Sequence, residues 1–430
     1  MKPINQRELA VFALIDILEA GGYNNIVLKR TLKSEELTSQ QNAFITELVN
    51  GTLRNMIHID YILDEFSKTQ TKKMKPLVLN ILRISVYQIK FMPKIPESAI
   101  CNEAVNLVKA KGYKNLAPFV NGVLRNILRN KDNILYPEVG TLKYISVMYS
   151  FPYWLIKYFS TFLTPDIIEE ICKASTVPPK LSICINTLKI TREELLEELA
   201  ADGVEATLSL NNEDCIYITK TSDITKLKSF EAGHFHVMDE VSMEAVKTLA
   251  PKPFDLVYDI CAAPGGKTFY MAQLMEDQGE IQAWDIHPHK LKLIEYGAKR
   301  LGINIITPAV VDALKHDKKK ANTADCVLID APCTGFGTLN KKPDIKYNKT
   351  FEDVQSLAGT QMDILKNAST YVKKGGTLVY STCTISAEEN EKNIDWFIQN
   401  FDFDLISQKQ YLPQPNGSSD GFFIAHMIRR

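Results

Sequence analysis

The sequence predicts a multidomain protein with an all-α bundle first, a small α+β domain in the middle and an α/β domain last. Over residues 5 to about 130, apolar residues recur at spacings of three and four, as in ELAVFALIDILEA and FVNGVLRNILRN, which is the period of a helix. From about residue 151 to 240, helical stretches mix with short strand-like runs such as KLSICIN. From about residue 254 onward, apolar strand candidates alternate with helical stretches, which is typical of a doubly wound parallel sheet.

Prolines and a loss of period mark the limits of the first domain. Pro93, Pro96 and Pro118 lie between its apolar runs, where helices end. The helical period is lost in KDNILYPEVGTLKY, which is predicted to be a linker. We therefore assign residues 1–135 to the helical bundle, 145–240 to the α+β domain and 241–430 to the α/β domain.

Seven apolar runs in the last domain are candidate strands: FDLVYDICA, EIQAWDI, INIITPAVV, DCVLIDAP, GTLVYST, FDFDLIS and FFIAHMI. Helical stretches such as KTFYMAQLME and HKLKLIEYGAKRLG separate the first four. Ligands bind at the carboxyl ends of the strands in doubly wound sheets. Residues with functional chemistry are therefore expected directly after these strands.

Composition argues against several classes of protein. The 430 residues are 45% apolar and 23% charged, as in globular proteins and unlike disordered or fibrous chains. AVFALIDILEA contains Asp16 and Glu19, which predicts an amphipathic helix and not a signal peptide. No apolar stretch reaches the roughly 18 residues of a membrane span. The eight cysteines form no C-x-x-C pair, which predicts reduced thiols, no metal site and a cytoplasmic location.

The net charge of −1 conceals an asymmetry. Residues 1–135 carry 19 Lys and Arg against 12 Asp and Glu, a balance of +7, and the remainder carries 31 against 39, a balance of −8. A basic domain suggests a polyanionic partner. Solvated helix faces explain the same charge equally well.

The stretch DICAAPGGKT, residues 259–268, follows the first strand candidate of the last domain and opens a helix. Gly265 and Gly266 allow a tight turn close to a ligand, and the helix N-terminus offers free N–H donors. A phosphate-binding loop, G-x-x-x-x-G-K-[ST], requires glycine where Cys261 stands. The G-x-G-x-x-G fingerprint of dinucleotide-binding domains is also absent.

Acidic residues follow the next two strand candidates. Asp285 lies 20 residues after Gly265, where a carboxylate binds ribose hydroxyls, and Asp312 is placed to accept from an adenine amino group. Taken singly, each acid is more often a cap or strand-end residue. Together with a glycine loop that suits no pyrophosphate, they predict S-adenosylmethionine as the ligand.

Two cysteines follow neighbouring strand candidates, Cys333 in DAPCTGFG and Cys383 in YSTCTIS. A single free cysteine is commonly buried and inert. Two thiols over one pocket, with Asp330 between them, indicate reacting groups instead. The inert interpretation is kept for Cys172, Cys184, Cys215 and Cys326.

A methyl donor beside thiols suggests methylation of a pyrimidine at carbon 5. A thiolate that adds to carbon 6 makes carbon 5 able to accept a methyl group from a sulfonium, and a base must then remove the proton from carbon 5. Lys267 is a candidate for favouring the thiolate, and protonated Asp330 can donate to N3 of the base. The residues leave open which thiol attacks.

Four motifs resemble those of the NOL1/NOP2/Sun family of RNA cytosine-5 methyltransferases: DICAAPGGKT, IDAPCTGFG, KKPDIKY and YSTCTISAEENE. Upstream, ESAICNEAVNLVK and FVNGVLRNIL resemble the NusB-type helical RNA-binding domain. This combination is similar to the layout of the bacterial 16S rRNA methyltransferases of the family. The resemblance implies a NusB-like bundle, an α+β middle domain and a Rossmann-like class I methyltransferase domain.

The resemblance also implies roles for individual residues. Cys383, in the Thr-Cys motif, is implied to be the nucleophile, and Cys333, in the Pro-Cys motif, to assist release of the product. Asp330 and Lys267 are implied to face the target base. The S-adenosylmethionine site is implied to comprise Cys261, Ala262, Ala263, Pro264, Gly265, Gly266, Lys267, Asp285, Asp312 and Asp330.

The implied substrate is a cytosine of 16S rRNA, free or in an early small-subunit particle, and the enzyme is expected to be a monomer without membrane contact. The base must be unpaired or turned out of its helix. A scaffold protein for ribosome assembly on an inherited methyltransferase fold is an alternative, as is the same chemistry on tRNA or large-subunit RNA. An eroded pocket would mark the scaffold, whereas here both cysteines, the glycine loop and all three acids are present.

Overall fold

The computed structural model describes residues 5–220, 223–417 and 419–430. The chain divides into two compact units. Met1–Val177 with Leu339–Asn348 form the first, here called the helical unit, and Pro178–Thr338 with Lys349–Arg430 form the second, the sheet unit. The domain limits 1–135, 145–240 and 241–430 stay predictions. Within the described ranges, no helix is both long enough and apolar enough to cross a membrane.

The helical unit is built from α-helices that begin at local capping signals. The Asn5 side chain accepts from the first backbone N–H groups of α1, and Thr38 with Gln41 forms a capping box at α3. Apolar faces of these helices meet in a core that includes the fully buried Leu14 and Leu48. The helices are α1 (Gln6–Leu18), α2 (Asn24–Lys33), α3 (Ser39–Arg54), α4 (Met56–Phe66), α5 (Pro76–Phe91), α6 (Glu97–Ala110), α7 (Ala117–Asn130), α8 (Leu142–Met148), α9 (Tyr153–Phe159) and α10 (Pro165–Ala174).

A small antiparallel sheet opens the sheet unit. Its strands lie in the order β2-β3-β1-β4, and Leu195 and Leu199 of the following helix pack against Ile183 and Phe235 of the sheet. The elements are β1 (Leu181–Ile185), α11 (Arg192–Ala201), β2 (Glu205–Leu208), β3 (Cys215–Lys220), α12 (Lys228–Glu231) and β4 (Phe235–Val237).

A seven-stranded sheet with helices between its strands forms the rest of this unit. Its order is β10-β11-β9-β8-β5-β6-β7. The elements are α13 (Glu240–Leu249), β5 (Leu256–Ile260), α14 (Gly266–Leu274), β6 (Glu280–Asp285), α15 (Pro288–Leu301), β7 (Ile306–Val310), β8 (Ala324–Asp330), α17 (Phe351–Ser369), β9 (Val372–Thr382), α18 (Glu391–Asn400), β10 (Phe403–Tyr411) and β11 (Phe422–Arg429). Between β8 and α17 lies the single turn α16 (Ile345–Asn348), which belongs to the helical unit.

The seven-stranded sheet is mixed, whereas the alternating pattern predicted a parallel one. The five strands from β9 to β7 are parallel, but β11 is antiparallel to both β9 and β10. The reason is the short connection between β10 and β11, whose described residues include no helix, because parallel neighbours need a long crossover. The strand order reverses between β5 and β8, and this is where doubly wound sheets bind ligands.

Candidate active site

A cavity of about 300 Å³ lies beyond the carboxyl ends of β5 to β8. Five of the predicted ligand residues line it, namely Cys261, Ala263, Asp285, Asp312 and Asp330. The other predicted residues, Ala262, Pro264, Gly265, Gly266 and Lys267, lie in the adjoining loop and the first turn of α14. The strand ends that were predicted to form one site therefore do converge.

The loop between β5 and α14 depends on glycine at one position. Gly265 is the N-cap of α14 with φ of 108°, a conformation that side chains rarely adopt. A Cβ atom there would also lie 2.6 Å from the ring of Phe269. The backbone N–H of Ala262 donates to the Trp284 carbonyl at 2.7 Å, which ties this loop to β6. The loop is thus held close to the cavity by its own backbone.

Asp259, at the end of β5, is buried beneath this loop. The Thr268 hydroxyl donates to its Oδ2 at 2.5 Å. Burial raises the pKa of Asp259 to about 7, opposed by the Thr268 hydrogen bond and reinforced by the charges of Asp330 and Asp285. Asp259 is the first residue of the motif DICAAPGGKT, but it was not among the predicted site residues.

Asp285 and Asp312 stand at the tips of β6 and beyond β7, and each side chain also stabilises a turn. The N–H of His287 donates to Asp285 Oδ1 at 2.8 Å, and the N–H of Leu314 donates to Asp312 Oδ1 at 3.0 Å. Both carboxylates also line the cavity. Capping and ligand contact, which were weighed as alternatives, are therefore compatible for these acids.

Asp330 forms an ion pair with Lys267 beside the cavity. Lys267 Nζ lies 2.8 Å from Asp330 Oδ2, and the Ser381 hydroxyl donates to Oδ1 at 3.0 Å. The ammonium also lies 5.1 Å from the centroid of the Phe422 ring, a distance at which cation–π attraction is significant. Asp330 therefore accepts hydrogen bonds through both of its oxygens.

The sulfur atoms of Cys333 and Cys383 lie 3.2 Å apart, and both residues are half-buried. A hydrogen bond to Cys383 and burial raise the pKa of the Cys333 thiol well above its usual value. Either sulfur can be the donor in this contact. Cys172, Cys184, Cys215 and Cys326 are buried, and burial raises the pKa of each thiol, which makes them poor nucleophiles.

A buried carboxyl group joins the loop that carries Cys333, after β8, to the loop that carries Cys383, after β9. Glu389, which is inaccessible to solvent, accepts from the Thr334 N–H at 2.8 Å and from the Thr334 hydroxyl at 2.6 Å. Gln361 of α17 donates to the same carboxyl group at 3.0 Å and to the Pro332 carbonyl at 2.8 Å. Burial raises the pKa of Glu389, and the hydrogen bond from Thr334 opposes that shift. This network fixes the loop that carries Cys333.

Sequence reasoning missed the supporting residues of this site. Ser381 and Glu389 lie within YSTCTISAEENE, so the motif contained them although only its cysteine received a role. Gln361 stands in the middle of a long helix. No pattern in the sequence marks it, because its function depends on two loops that the fold brings to that helix.

Gly337 lies tightly against the backbone of Cys383 and Gly421, and Gly337→Ala is expected to disrupt this packing. Its N–H donates to the Cys383 carbonyl at 3.0 Å, and an added Cβ would lie 1.9 Å from the Gly421 carbonyl oxygen. We expect a loss of about 1–3 kcal/mol of unfolding free energy, measured by thermal or denaturant unfolding.

Gly359→Ala is the matched control, because nothing lies within 4 Å of a Cβ at this position in α17. Alanine is favoured over glycine in helices by about 1 kcal/mol, so this variant should be as stable as the wild type or slightly more so. Equal melting temperatures for Gly337→Ala and the wild type would contradict the tight packing of Gly337 against Gly421 and Cys383.

Comparisons with known proteins agree with this architecture. Family models match residues 246–428 as 16S rRNA methyltransferase RsmB/F, residues 4–129 as the NusB family and residues 151–225 as the ferredoxin-like domain of RsmF/B-like methyltransferases. The chain is 39% identical to "Probable ribosomal RNA small subunit methyltransferase B" of Bacillus subtilis, covering 100% of both chains. It is 33% identical to the protein of the same description from Synechocystis, covering 99% of each.

Among solved structures, the crystal structure of PH0851 is similar to this chain with a TM-score of 0.82 and 28% identity, covering 99% of both chains. These matches confirm the predicted fold classes, a NusB-like bundle, a small α+β domain and a Rossmann-like methyltransferase domain. They also confirm the family that the motifs predicted. The chain belongs to the RsmB/F family of 16S rRNA methyltransferases.

Proposed function

We propose that the chain transfers a methyl group from S-adenosylmethionine to carbon 5 of a cytosine in 16S rRNA through a covalent adduct between Cys383 and carbon 6 of the base. Membership of the RsmB/F family makes the chain an S-adenosylmethionine-dependent methyltransferase of 16S rRNA. The cytosine and the adduct rest on one observation. It is the pair of sulfur atoms 3.2 Å apart, next to the Asp330–Lys267 ion pair.

The residues around the cavity fit S-adenosylmethionine. The cavity of about 300 Å³ falls at the lower end of small-molecule sites. Asp285 suits ribose hydroxyls and Asp312 suits an adenine amino group, while Ile286, Val311 and Leu314 offer apolar surface to a purine. Residues 261–267 with Asp330 would hold the remainder of the molecule. Its sulfonium supplies the electrophilic methyl group.

Cys383 is the proposed nucleophile because it stands in the Thr-Cys motif, which carries the attacking cysteine in the RNA cytosine-5 methyltransferases that this sequence resembles. The pKa of Cys333 is raised well above its usual value, and across the 3.2 Å contact its S–H group can donate to a Cys383 thiolate and stabilise it. Attack on carbon 6 forms the carbon–sulfur bond and places negative charge on the cytosine ring. Carbon 5 then takes the methyl group, whose bond to the sulfonium sulfur breaks and leaves a neutral thioether. Asp330 accepts from Lys267 and Ser381, so it must first take a proton from Lys267 before it can donate to N3 of the base.

Cys333 becomes the base once the adduct has formed. The Cys383 sulfur is then an uncharged thioether, so the hydrogen bond with the Cys383 thiol and the charge of its thiolate no longer raise the pKa of Cys333. Cys333 loses its proton to solvent and accepts the proton that leaves carbon 5. Elimination breaks the carbon–sulfur bond, restores the double bond between carbons 5 and 6, and returns the Cys383 thiolate beside a Cys333 thiol. The proton that N3 received returns to Asp330 as the adduct breaks down, and from there to Lys267.

Cys333→Ala is expected to trap the covalent protein–RNA adduct. Without the base at residue 333, the methylated cytosine keeps its proton on carbon 5 and cannot leave Cys383. The wild type, Cys333→Ala and Cys383→Ala proteins would be incubated with 16S rRNA and labelled S-adenosylmethionine, and adducts would be separated on denaturing gels. An adduct from Cys333→Ala alone is the expected result.

Other outcomes would contradict parts of this proposal. An adduct from Cys383→Ala would reverse the roles of the two thiols. Methylation of tRNA or large-subunit RNA, without methylation of 16S rRNA, would show that the proposed substrate is wrong. No adduct and no methyl transfer by any form on any RNA would favour the scaffold interpretation.

A further inference from the structure

Residues 339–348, here called the anchor segment, belong to the helical unit although the residues on both sides belong to the sheet unit. The segment contains the motif KKPDIKY, which the proposed reaction does not use. Leu339 directly follows Thr338, the last residue of the Cys333 loop (residues 330–338). The Cys333 loop is therefore joined by a peptide bond to a segment that packs within the helical unit.

Two side chains of the anchor segment donate to the C-terminal end of α3. Lys346 Nζ donates to the Arg54 carbonyl at 3.0 Å, and the Tyr347 hydroxyl donates to the Leu53 carbonyl at 2.8 Å. These are the last two residues of α3, and carbonyls in the last turn of a helix have no partner within it. The anchor segment thus supplies the hydrogen bonds that α3 lacks.

The anchor segment also accepts a hydrogen bond from the N-terminal end of a helix, at the first residue of α2. The carboxylate of Asp344 accepts from the Asn24 N–H at 3.2 Å. Tyr23, the residue at the N-cap position, makes no side-chain capping bond, so Asp344 provides the cap from 320 residues away. An acid at a helix N-terminus and a cation at a C-terminus both match the helix dipole.

The anchor segment is held by groups that are buried. Lys346 is only 2% exposed and Asp344 is 3% exposed. The ammonium of Lys346 lies 4.7 Å from the centroid of the Phe151 ring. This burial lowers the pKa of Lys346 to about 7. A lysine is rarely so buried unless it is paired, and here its partner is the end of a helix.

We propose that the anchor segment positions the Cys333 loop for catalysis, with Lys346 and Tyr347 as positioning residues. This inference rests on the proposed function for its catalytic consequence. The Cys333 loop is held at Gly337 by the Cys383 carbonyl and at Thr334 by Glu389. Loss of the anchor would leave these contacts as the main restraint on the loop. Release of the product by Cys333 would then slow more than attack by Cys383.

The test compares Lys346→Met and Tyr347→Phe in the full-length protein with Lys342→Met as control. Lys342 lies in the same segment with an exposed side chain, so its variant removes a charge without touching α3. Tyr347→Phe removes only a hydroxyl and keeps the packing, which covers the case that Lys346→Met does not fold. Hydrogen exchange of the peptide that spans residues 330–338 should be faster in both anchor variants than in the control.

The second measurement uses 16S rRNA and denaturing gels. The anchor variants should accumulate covalent adduct, and their kcat should fall at least about tenfold. The reason is that misplacement of a reacting group by about 1 Å can lower the rate about a hundredfold. RNA affinity should stay unchanged. Two results would refute the proposed role of the anchor segment. One is hydrogen exchange in the Cys333 loop that is the same in the anchor variants as in the control. The other is loss of activity in the anchor variants without adduct, while Cys333→Ala still traps an adduct. Faster exchange with no adduct even from Cys333→Ala would instead overturn the proposed function.

Discussion

Cys383→Ala is expected to abolish methyl transfer while leaving the fold intact. In the proposed mechanism this sulfur forms the bond that activates carbon 5, and nothing else within the thiol pair replaces it. Removal of a nucleophile from an enzyme that uses covalent catalysis commonly costs about 10⁴-fold or more in kcat. Label transferred from S-adenosylmethionine to 16S rRNA is the measurement, with thermal unfolding to verify the fold.

Cys326→Ala provides the matched control for Cys383→Ala. Cys326 lies in β8, near the opposite end of that strand from Asp330, and its buried thiol contacts Asp255 and Leu249. The same loss of a sulfur there should leave kcat unchanged. Methyl transfer by Cys383→Ala within about tenfold of the wild type would rule out Cys383 as the nucleophile.

Glu389→Ala is expected to have the second-largest effect, on both stability and rate. It would leave the Thr334 N–H, the Thr334 hydroxyl and the Gln361 amide without their shared acceptor. A buried polar group left unpaired costs about 1–3 kcal/mol, and the Cys333 loop would lose its restraint at Thr334. We expect a lower melting temperature and a kcat reduced about a hundredfold, as for a misplaced reacting group.

Two further variants distinguish this positioning role from a general loss of charge. Glu388→Ala changes the neighbouring residue, whose carboxylate pairs with Lys392 at the surface, and such pairs contribute less than about 1 kcal/mol. Glu389→Gln keeps the size of the side chain but replaces one acceptor oxygen by an amide, so its effect should be intermediate. Accumulation of the covalent adduct in Glu389→Ala would show that the variant slows release of the product. A kcat and a melting temperature equal to those of the wild type would refute the positioning role of the Glu389 hydrogen bonds.

The fold classes were predictable because their signals are local. The spacing of apolar residues by three and four identified the helices of the bundle, since neighbours on one helix face are close in sequence. Strand candidates such as DCVLIDAP and EIQAWDI correspond to β8 and β6. The antiparallel pairing of β11 was missed, because a run of apolar residues carries no sign of its direction in a sheet.

The candidate site was predictable only in part, for a related reason. Asp285, Asp312 and Asp330 could be assigned to one cavity because parallel strands end at the same edge of a sheet. Glu389 and Gln361 could not, because their role depends on hydrogen bonds to a loop that lies 29 to 55 residues away in the sequence. The motif KKPDIKY was recognised, but its place in the helical unit was not.

The sequence by itself determined the family, the order of the domains and five of the residues that line the cavity, because these follow from local periods and from motifs at strand ends. Only the tertiary structure decided that the sulfurs of Cys333 and Cys383 are in contact, that Glu389 joins their loops and that Asp344 caps α2 from 320 residues away. These contacts depend on how distant segments pack, and packing is a property of the whole folded chain that no local pattern encodes.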